Sequence, residues 1–147
     1  MRTITLATIA ALATAPALAD YQRLQAPGTV NQAMQRLTNA VEDAGARIFA
    51  TVDHAAGASR VDMELPDSQL LIFGSPELGT PVMQQNMLAG LELPLKMLVY
   101  ADADGQTWVA YEPVEDMFDG LDLSADQEVL TRMDEALENF ASAAAAN

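Results

Sequence analysis

The sequence predicts a single α+β domain: a mainly antiparallel sheet of about four strands with helices packed on it, ending in a long C-terminal helix. Three observations carry that expectation. Two capping boxes, Thr29 with Gln32 and Ser124 with Gln127, each open an apolar stripe at helical spacing. Two β-rich runs flank Asp104-Gly105, a pair suited to the positive φ angles of a hairpin turn. The resulting order, helix, strand, strand, helix, hairpin and long helix, argues for one domain of this class.

The first nineteen residues read as an address. Met1-Arg2 supplies a short positive region, Thr3 to Ala15 an uncharged and mostly apolar run, and small residues stand at Ala17 and Ala19. This is the pattern of a secretory signal peptide, with cleavage expected after Ala19. The apolar run falls short of the ~20 residues that cross a bilayer, and Pro16 interrupts its end. Residues 20–147 are therefore expected as one periplasmic or secreted domain with no membrane span.

A short exposed lead containing Pro27-Gly28 precedes the first helix, whose stripe of Val30, Met34, Leu37, Val41 and Ala44 ends at Gly45. "RIFATVDH" has strand composition, with Ile48, Ala50 and Val52 on one face and Phe49 and Thr51 on the other. The stretch from Ala55 to Pro66 reads as a short helix or turn. "QLLIF" is a short buried strand closed by Gly74. The loop "GSPELG" then leads to Thr80 as N-cap and Pro81 at the first helical position, in a helix carrying Val82, Met83 and Met87 and stopping near Gly90.

With Asp104-Gly105 as a two-residue loop, Ala101 lies opposite Trp108, Val99 opposite Ala110, Tyr100 opposite Val109 and Leu98 opposite Tyr111. Both faces of this hairpin are apolar, so the second face is expected to meet a helix, a ligand cavity or another subunit. The last helix carries Val129, Met133, Leu137, Phe140 and Ala144, and the "ASAAAAN" tail is expected to fray.

Composition excludes several functions. The chain of 147 residues has a formal charge of −14, with 21 acidic against seven basic residues. From Ala101 onward twelve acids face one base, Arg132. Such a surface repels phosphate backbones and anionic membranes, so nucleic acid is not an expected partner. The absence of cysteine removes thiol catalysis, Cys-ligated zinc and iron–sulfur chemistry.

The residues leave three roles open at His54, the single histidine: a structural corner, a ligand contact, or a metal site with Asp53 and Glu64. The corner is favoured, because adjacent strand residues point to opposite faces and converge only if the strand ends between them. Met83 and Met87 stand at i, i+4, a spacing at which two thioethers can share a soft metal, but core packing is the plainer role. No GxSxG elbow surrounds Ser75. "DADGQ" has a calcium-loop look, yet aligning Gly105 with the loop glycine puts Tyr100 and Tyr111 at the first and last ligand positions, which excludes an EF-hand. The start of the helix after Gly74 leaves backbone N–H groups near Thr80 to Met83 where a small anion can be received, but an ordinary tight connection is the plainer role.

Three segments, "VDHAAGA", "LLIFGSPELGTPVM" and "LELPLKMLVYADADGQTWVAYEP", together resemble the bacterial family known as domain of unknown function 302, over about residues 47–113. The resemblance implies a compact α+β domain, often exported alone. It places Asp53, His54, Gly74, Pro76, Gly79, Thr80 and Met83 at the family's signature positions, while Ser75, Glu92 and Tyr100 stand where its pattern has Asn, Asp and Trp. It implies no activity. The expectation is a periplasmic small-ligand-binding or protein-interaction domain using those seven residues. It has no evident catalytic set and no implied cofactor, and it self-associates through the second hairpin face. The alternative is a small hydrolase- or lyase-like enzyme, or a metal-binding protein, using Asp53, His54 and Glu64.

Overall fold

The computed structural model describes residues 21–123 and 127–147. The expected signal peptide, residues 1–19, and the expected capping contact between Ser124 and Gln127 lie outside the described residues. Strands β1 (Gln22–Gln25), β2 (Arg47–Asp53), β3 (Ser68–Gly74), β4 (Leu95–Ala101) and β5 (Thr107–Tyr111) form one antiparallel sheet in the order β1-β5-β4-β3-β2. The α+β class and mainly antiparallel sheet hold. The fifth strand, β1, comes from the segment read as an exposed lead. Its sequence, QRLQ, offers one apolar side chain, and it is held by main-chain pairing to β5 at the sheet edge.

Helices α1 (Val30–Asp43) and α5 (Gln127–Ala144) lie together across one face of that sheet. The start of α1 follows its sequence signature: the Thr29 hydroxyl accepts from the Gln32 N–H, and the Gln32 side chain accepts from the Thr29 N–H. Gly45 ends the segment at φ +76°, a conformation that suits glycine just beyond a helix. Val30, Met34, Leu37 and Val41 are buried from α1, and Val129, Met133, Leu137, Phe140 and Ala144 from α5. They meet Leu71, Phe73, Met97, Val99 and Val109 of the sheet, with Phe73 and Phe140 edge-to-face at 5.5 Å. The tail of α5 packs where fraying was expected. Ala141 and Ala144 are fully buried, and Arg36 ties the end down by donating Nε–H to the Ala144 carbonyl at 2.9 Å and a terminal N–H to Pro27 at 2.7 Å. A cation on the last carbonyls of a helix is favoured by their partial negative charge.

The hairpin differs from expectation by one residue of register. Leu98 pairs with Ala110, Val99 with Val109, Tyr100 with Trp108 and Ala101 with Thr107. The turn is longer because Asp102 organises it: its Oδ1 accepts from the Asp104 and Gln106 N–H groups, its carbonyl accepts from Gly105, and Gly105 sits at φ +76°. This is a three-residue loop with a glycine in the left-handed position. A one-residue slip exchanges the faces of every side chain on one strand. Met97, Val99, Val109 and Tyr111 therefore share the helix-covered face, while Leu98, Tyr100, Trp108 and Ala110 share the other.

Strand β2 departs from strict alternation as well. A bulge at Phe49 puts two residues opposite one, so Ile48 and Thr51 point with the core face and Ala50 and Val52 with the open face. Beyond β2, α2 (His54–Ser59) is a short helix at the corner leading to β3. Helix α3 (Pro76–Gln85) begins five residues before the expected position. Ser75 is its N-cap, accepting from the Glu77 N–H, and Pro76 supplies the first helical residue. The earlier Ser-Pro-Glu start overrides Thr80-Pro81, and Pro81 sits inside the helix, where it forfeits one main-chain bond. Asn86 then breaks the helix with extended angles, its side chain accepting from Leu88 to open a 3₁₀ turn over Met87–Leu91. A four-residue helix, α4 (Val114–Met117), follows β5.

Two measurements check this architecture. Leu37 is fully buried between helix and sheet, so Leu37→Ala should cost about 2–5 kcal/mol in chemical denaturation. Trp108, the chain's one tryptophan, donates its indole N–H to Asp102 Oδ2 at 2.7 Å, and this bond, with those from Gln106 and Asp104, holds the Asp102 carboxyl below its ordinary range. A depressed carboxyl stabilises the fold above the unfolded value of ~3.9 and loses that contribution as pH falls through the lower, folded value. Tryptophan emission should therefore titrate below pH ~3.9 in the native protein, and Asp102→Ala should abolish that transition.

Candidate functional site

A cavity of about 260 Å³ opens at the end of the sheet where β3 hands over to α3. Its walls come from α3, from the 3₁₀ turn and the Leu93-Pro94-Leu95 approach to β4, and from Phe49 at the β2 bulge; Met133 reaches it from α5. The Leu93-Pro94 peptide is cis. Glycine makes the space. A Cβ on Gly79 would stand 3.4 Å from a Leu93 methyl, and one on Gly90 would stand 3.0 Å from the Met83 terminal methyl. The bulge matters as much, because it carries Phe49 out of strand alternation to lie beside Gly74.

The lining is almost wholly carbon. Ser75 and Thr80 contribute hydroxyls, and among the described residues no ionisable side chain lines the cavity. Such a surface favours an apolar guest with one or two hydrogen-bonding atoms and supplies no acid, base or nucleophile pair. The groups whose proton affinity the fold moves lie elsewhere. Asp102 is at the hairpin turn, and Tyr111, raised by burial and by the nearby carboxylates of Glu138 and Asp134, is on β5.

Of the residues singled out from sequence, Gly74, Pro76, Gly79, Thr80 and Met83 line this one cavity. Asp53 and His54 do not. Arg47 is the β2 residue paired with Gly74, whereas Asp53 pairs with Gln69, six residues further along and so ~20 Å away at strand rise. The strand does end between Asp53 and His54, but the carboxylate is then used as a cap: Asp53 Oδ1 accepts from the Ala56 N–H at 2.8 Å. His54 is the first residue of α2 and is exposed, as is Glu64 beyond it. Among the described residues no three histidine, aspartate or glutamate side chains gather closely enough to hold a metal.

The thioether pair is also separated. Met83 lines the cavity from α3, while Met87 lies across the helix break and is 72 % exposed. The N–H groups of Thr80 to Met83, weighed above as an anion receptor, lie within α3 and not at its first turn, which is at Pro76. Phe49, Leu93 and Met133 were missed from the site. Phe49 could be found only by foreseeing the bulge, and Met133 reads from sequence as one more core position of the last helix.

Residues 22–140 match the model of the family described as Domain of unknown function DUF302, a span wider than the 47–113 segment that carries the motif resemblance. Over 81 residues the chain is 36% identical to proteins named Fluoride-specific ion channel FluC 1 in Brucella suis biovar 1 (strain 1330) and Brucella abortus biovar 1 (strain 9-941). The shared stretch is 55% of this chain and 32% and 30% of theirs, so the match spans about a third of the length of these curated relatives. The fold is similar to that in the "Crystal structure of uncharacterized conserved protein DUF302 from Bacillus stearothermophilus". That similarity has a TM-score of 0.77 at 16% identity, covering 84% of this chain and 97% of that one. With the family match running from the first strand to the last helix, this chain belongs to the family described as Domain of unknown function DUF302.

Proposed function

We propose that the protein is an exported, non-enzymatic binding domain whose cavity between α3 and the sheet takes a small, mainly apolar molecule. One observation carries this reading: a cavity of about 260 Å³ lined, among the described residues, by carbon, two hydroxyls and no ionisable group. Its size falls a little below the ~300–1,000 Å³ usual for small-molecule sites, which suits only a compact guest such as a single aromatic ring system or a short-chain alcohol. Ten heavy atoms at about −0.5 kcal/mol each give roughly −5 kcal/mol, a Kd near 0.2 mM for a simple probe. The signal pattern at residues 1–19 supports a periplasmic setting, where the molecule would be met outside the cytoplasm. Asp53 is occupied in capping α2 and His54 lies at the other end of β2, so neither belongs to this site.

A second reading rests on the relatives. Their printed name makes them fluoride channels, and 36% identity over 81 residues favours a domain that accompanies such a channel. No helix among the described residues is long and apolar enough to cross a membrane, so in this reading the chain contributes a part outside the bilayer. Fluoride added to the purified protein would then broaden or shift its ¹⁹F resonance; an unchanged line argues for the first reading.

Indole and 1-hexanol serve as probes for the cavity. In saturation-transfer NMR both should bind the wild-type protein, and Gly79→Leu, which places a side chain against Leu93 inside the cavity, should weaken them at least tenfold while the far-ultraviolet spectrum is kept. His54→Ala should bind the probes as the parent does and change stability by less than ~0.5 kcal/mol, whereas Asp53→Ala should lose about 0.5–2 kcal/mol with its cap. Probe binding that is lost in His54→Ala and kept in Gly79→Leu would overturn the assignment. Intact mass of the exported chain should correspond to a start at Asp20.

A further inference from the structure

The sheet face opposite α1 and α5 carries a concavity of about 560 Å³, within the ~300–1,000 Å³ usual for small-molecule sites. Its floor is Leu98 of β4 and Ala110 of β5, which the register sets side by side. Ala110 makes the hollow. It is the smallest side chain in a row whose other members are Arg23, Leu98, Leu70 and Val52, and it is 9 % exposed without joining the core cluster that the helices cover. Two cations flank it. Arg23 is its partner on β1, and Lys96 precedes Leu98 by two residues on β4 and so shares the face.

Arg23 is oriented by its neighbours. Its guanidinium lies over the Trp108 ring at 5.3 Å, and it donates to the Tyr100 hydroxyl at 3.4 Å. Lys96 is half-buried, its stem against the apolar floor. Among the described residues Glu112 is the one carboxylate on the wall. Asp102 also feels Arg23, but its oxygens are engaged by the Trp108 indole N–H and by the Asp104 and Gln106 amides.

We propose that this concavity binds a small planar aromatic carboxylate, its ring on Ala110 and Leu98 and its carboxylate between Arg23 and Lys96. Charge selects that occupant. The chain has a formal charge of −14, yet Arg23, Lys96 and Arg47, further along the same face, are three of its seven basic residues. A second copy of the face would set these cations against their own images, and a cationic guest would meet two like charges for one carboxylate. An inorganic anion would leave the apolar floor uncovered, whereas a flat ring covers it and carries its charge to the rim. The acids of α5 lie in the layer behind the sheet, and at physiological salt their repulsion is screened over ~8 Å. This site shares no residue with the cavity beside α3, so the two readings stand or fall separately.

Naphthalene-2-carboxylate and its neutral amide, titrated into the ¹⁵N-labelled protein, test the proposal. The carboxylate should shift the Trp108 indole N–H and the Ala110 amide, and should bind about tenfold tighter than the amide at low salt, an advantage that shrinks as salt is raised. Arg23→Gln and Lys96→Gln should each remove most of that advantage and leave amide binding as it was, while Glu112→Gln should strengthen carboxylate binding. Ala110→Leu should fill the hollow and abolish both. The three charge variants change exposed or half-buried side chains, so they decide the matter even where Ala110→Leu does not fold. Gly79→Leu, in the other cavity, should leave carboxylate binding intact. Equal binding of carboxylate and amide overturns the proposal, as does an advantage that survives Arg23→Gln. So does a protein that leaves naphthalene-2-carboxylate unbound and uses this face to dimerise in sedimentation or to bind vesicles of anionic lipid.

Discussion

Helices α1 and α5 bury their apolar stripes on one face of the sheet, and the rest of the molecule is arranged around that contact. Leu37, Leu137 and Met133 from the helices and Leu71, Phe73, Met97 and Val99 from the strands are essentially removed from water. Each large apolar side chain so buried is worth about 1.5–3 kcal/mol. No disulfide adds to this, since the chain has no cysteine. The strands must present the correct alternate residues to the helices, so their register is tightly determined on that face. The opposite face is determined only by default. It receives whatever the pleat sends there, and here that is another apolar set.

The same packing produces the cavity. Met133 and Leu95 belong to the core cluster and also line the cavity. The space exists because α3 starts early at Ser75-Pro76, carries Gly79 toward Leu93, and breaks at Asn86 so that the 3₁₀ turn brings Gly90 back toward Met83. The site is thus an edge of the core left incompletely filled, with walls held by the core itself. A guest would meet a largely preformed surface and would not have to order a loop, which keeps the entropic cost of binding low.

Much of this was legible in the residues. The capping box at Thr29, the stripe of the last helix and the two β-rich runs around Asp104-Gly105 are local signals, and local physics decided them. Failures arose where two local signals competed or where a long-range contact decided. Ser75-Pro76 and Thr80-Pro81 are both valid helix starts, and the earlier one leaves fewer main-chain groups unpaired between strand and helix. The hairpin slipped by a residue because the Asp102 side chain, bonded to Trp108 six residues on, closes a longer loop than Asp104-Gly105 alone implies. Strand β1 is almost invisible in QRLQ, since its pairing with β5 is a main-chain affair. The motif residues Gly74, Pro76, Gly79, Thr80 and Met83 fall on one cavity, while Asp53 and His54 mark a corner ~20 Å away by strand rise. Sequence proximity to a motif did not tell those two roles apart, because only the antiparallel pairing of β2 with β3 puts them at opposite ends.

Under the proposed function, the carbon-lined cavity is where a small molecule would be held. Methionine methyl NMR interrogates it directly, because Met83 and Met133 line the cavity while Met63 and Met87 are exposed elsewhere. Titration with indole should shift the methyl resonances of Met83 and Met133 and leave those of Met63 and Met87 in place. Shifts confined to the exposed methionines, or changes centred on the His54 ring with Met83 and Met133 unmoved, would contradict it.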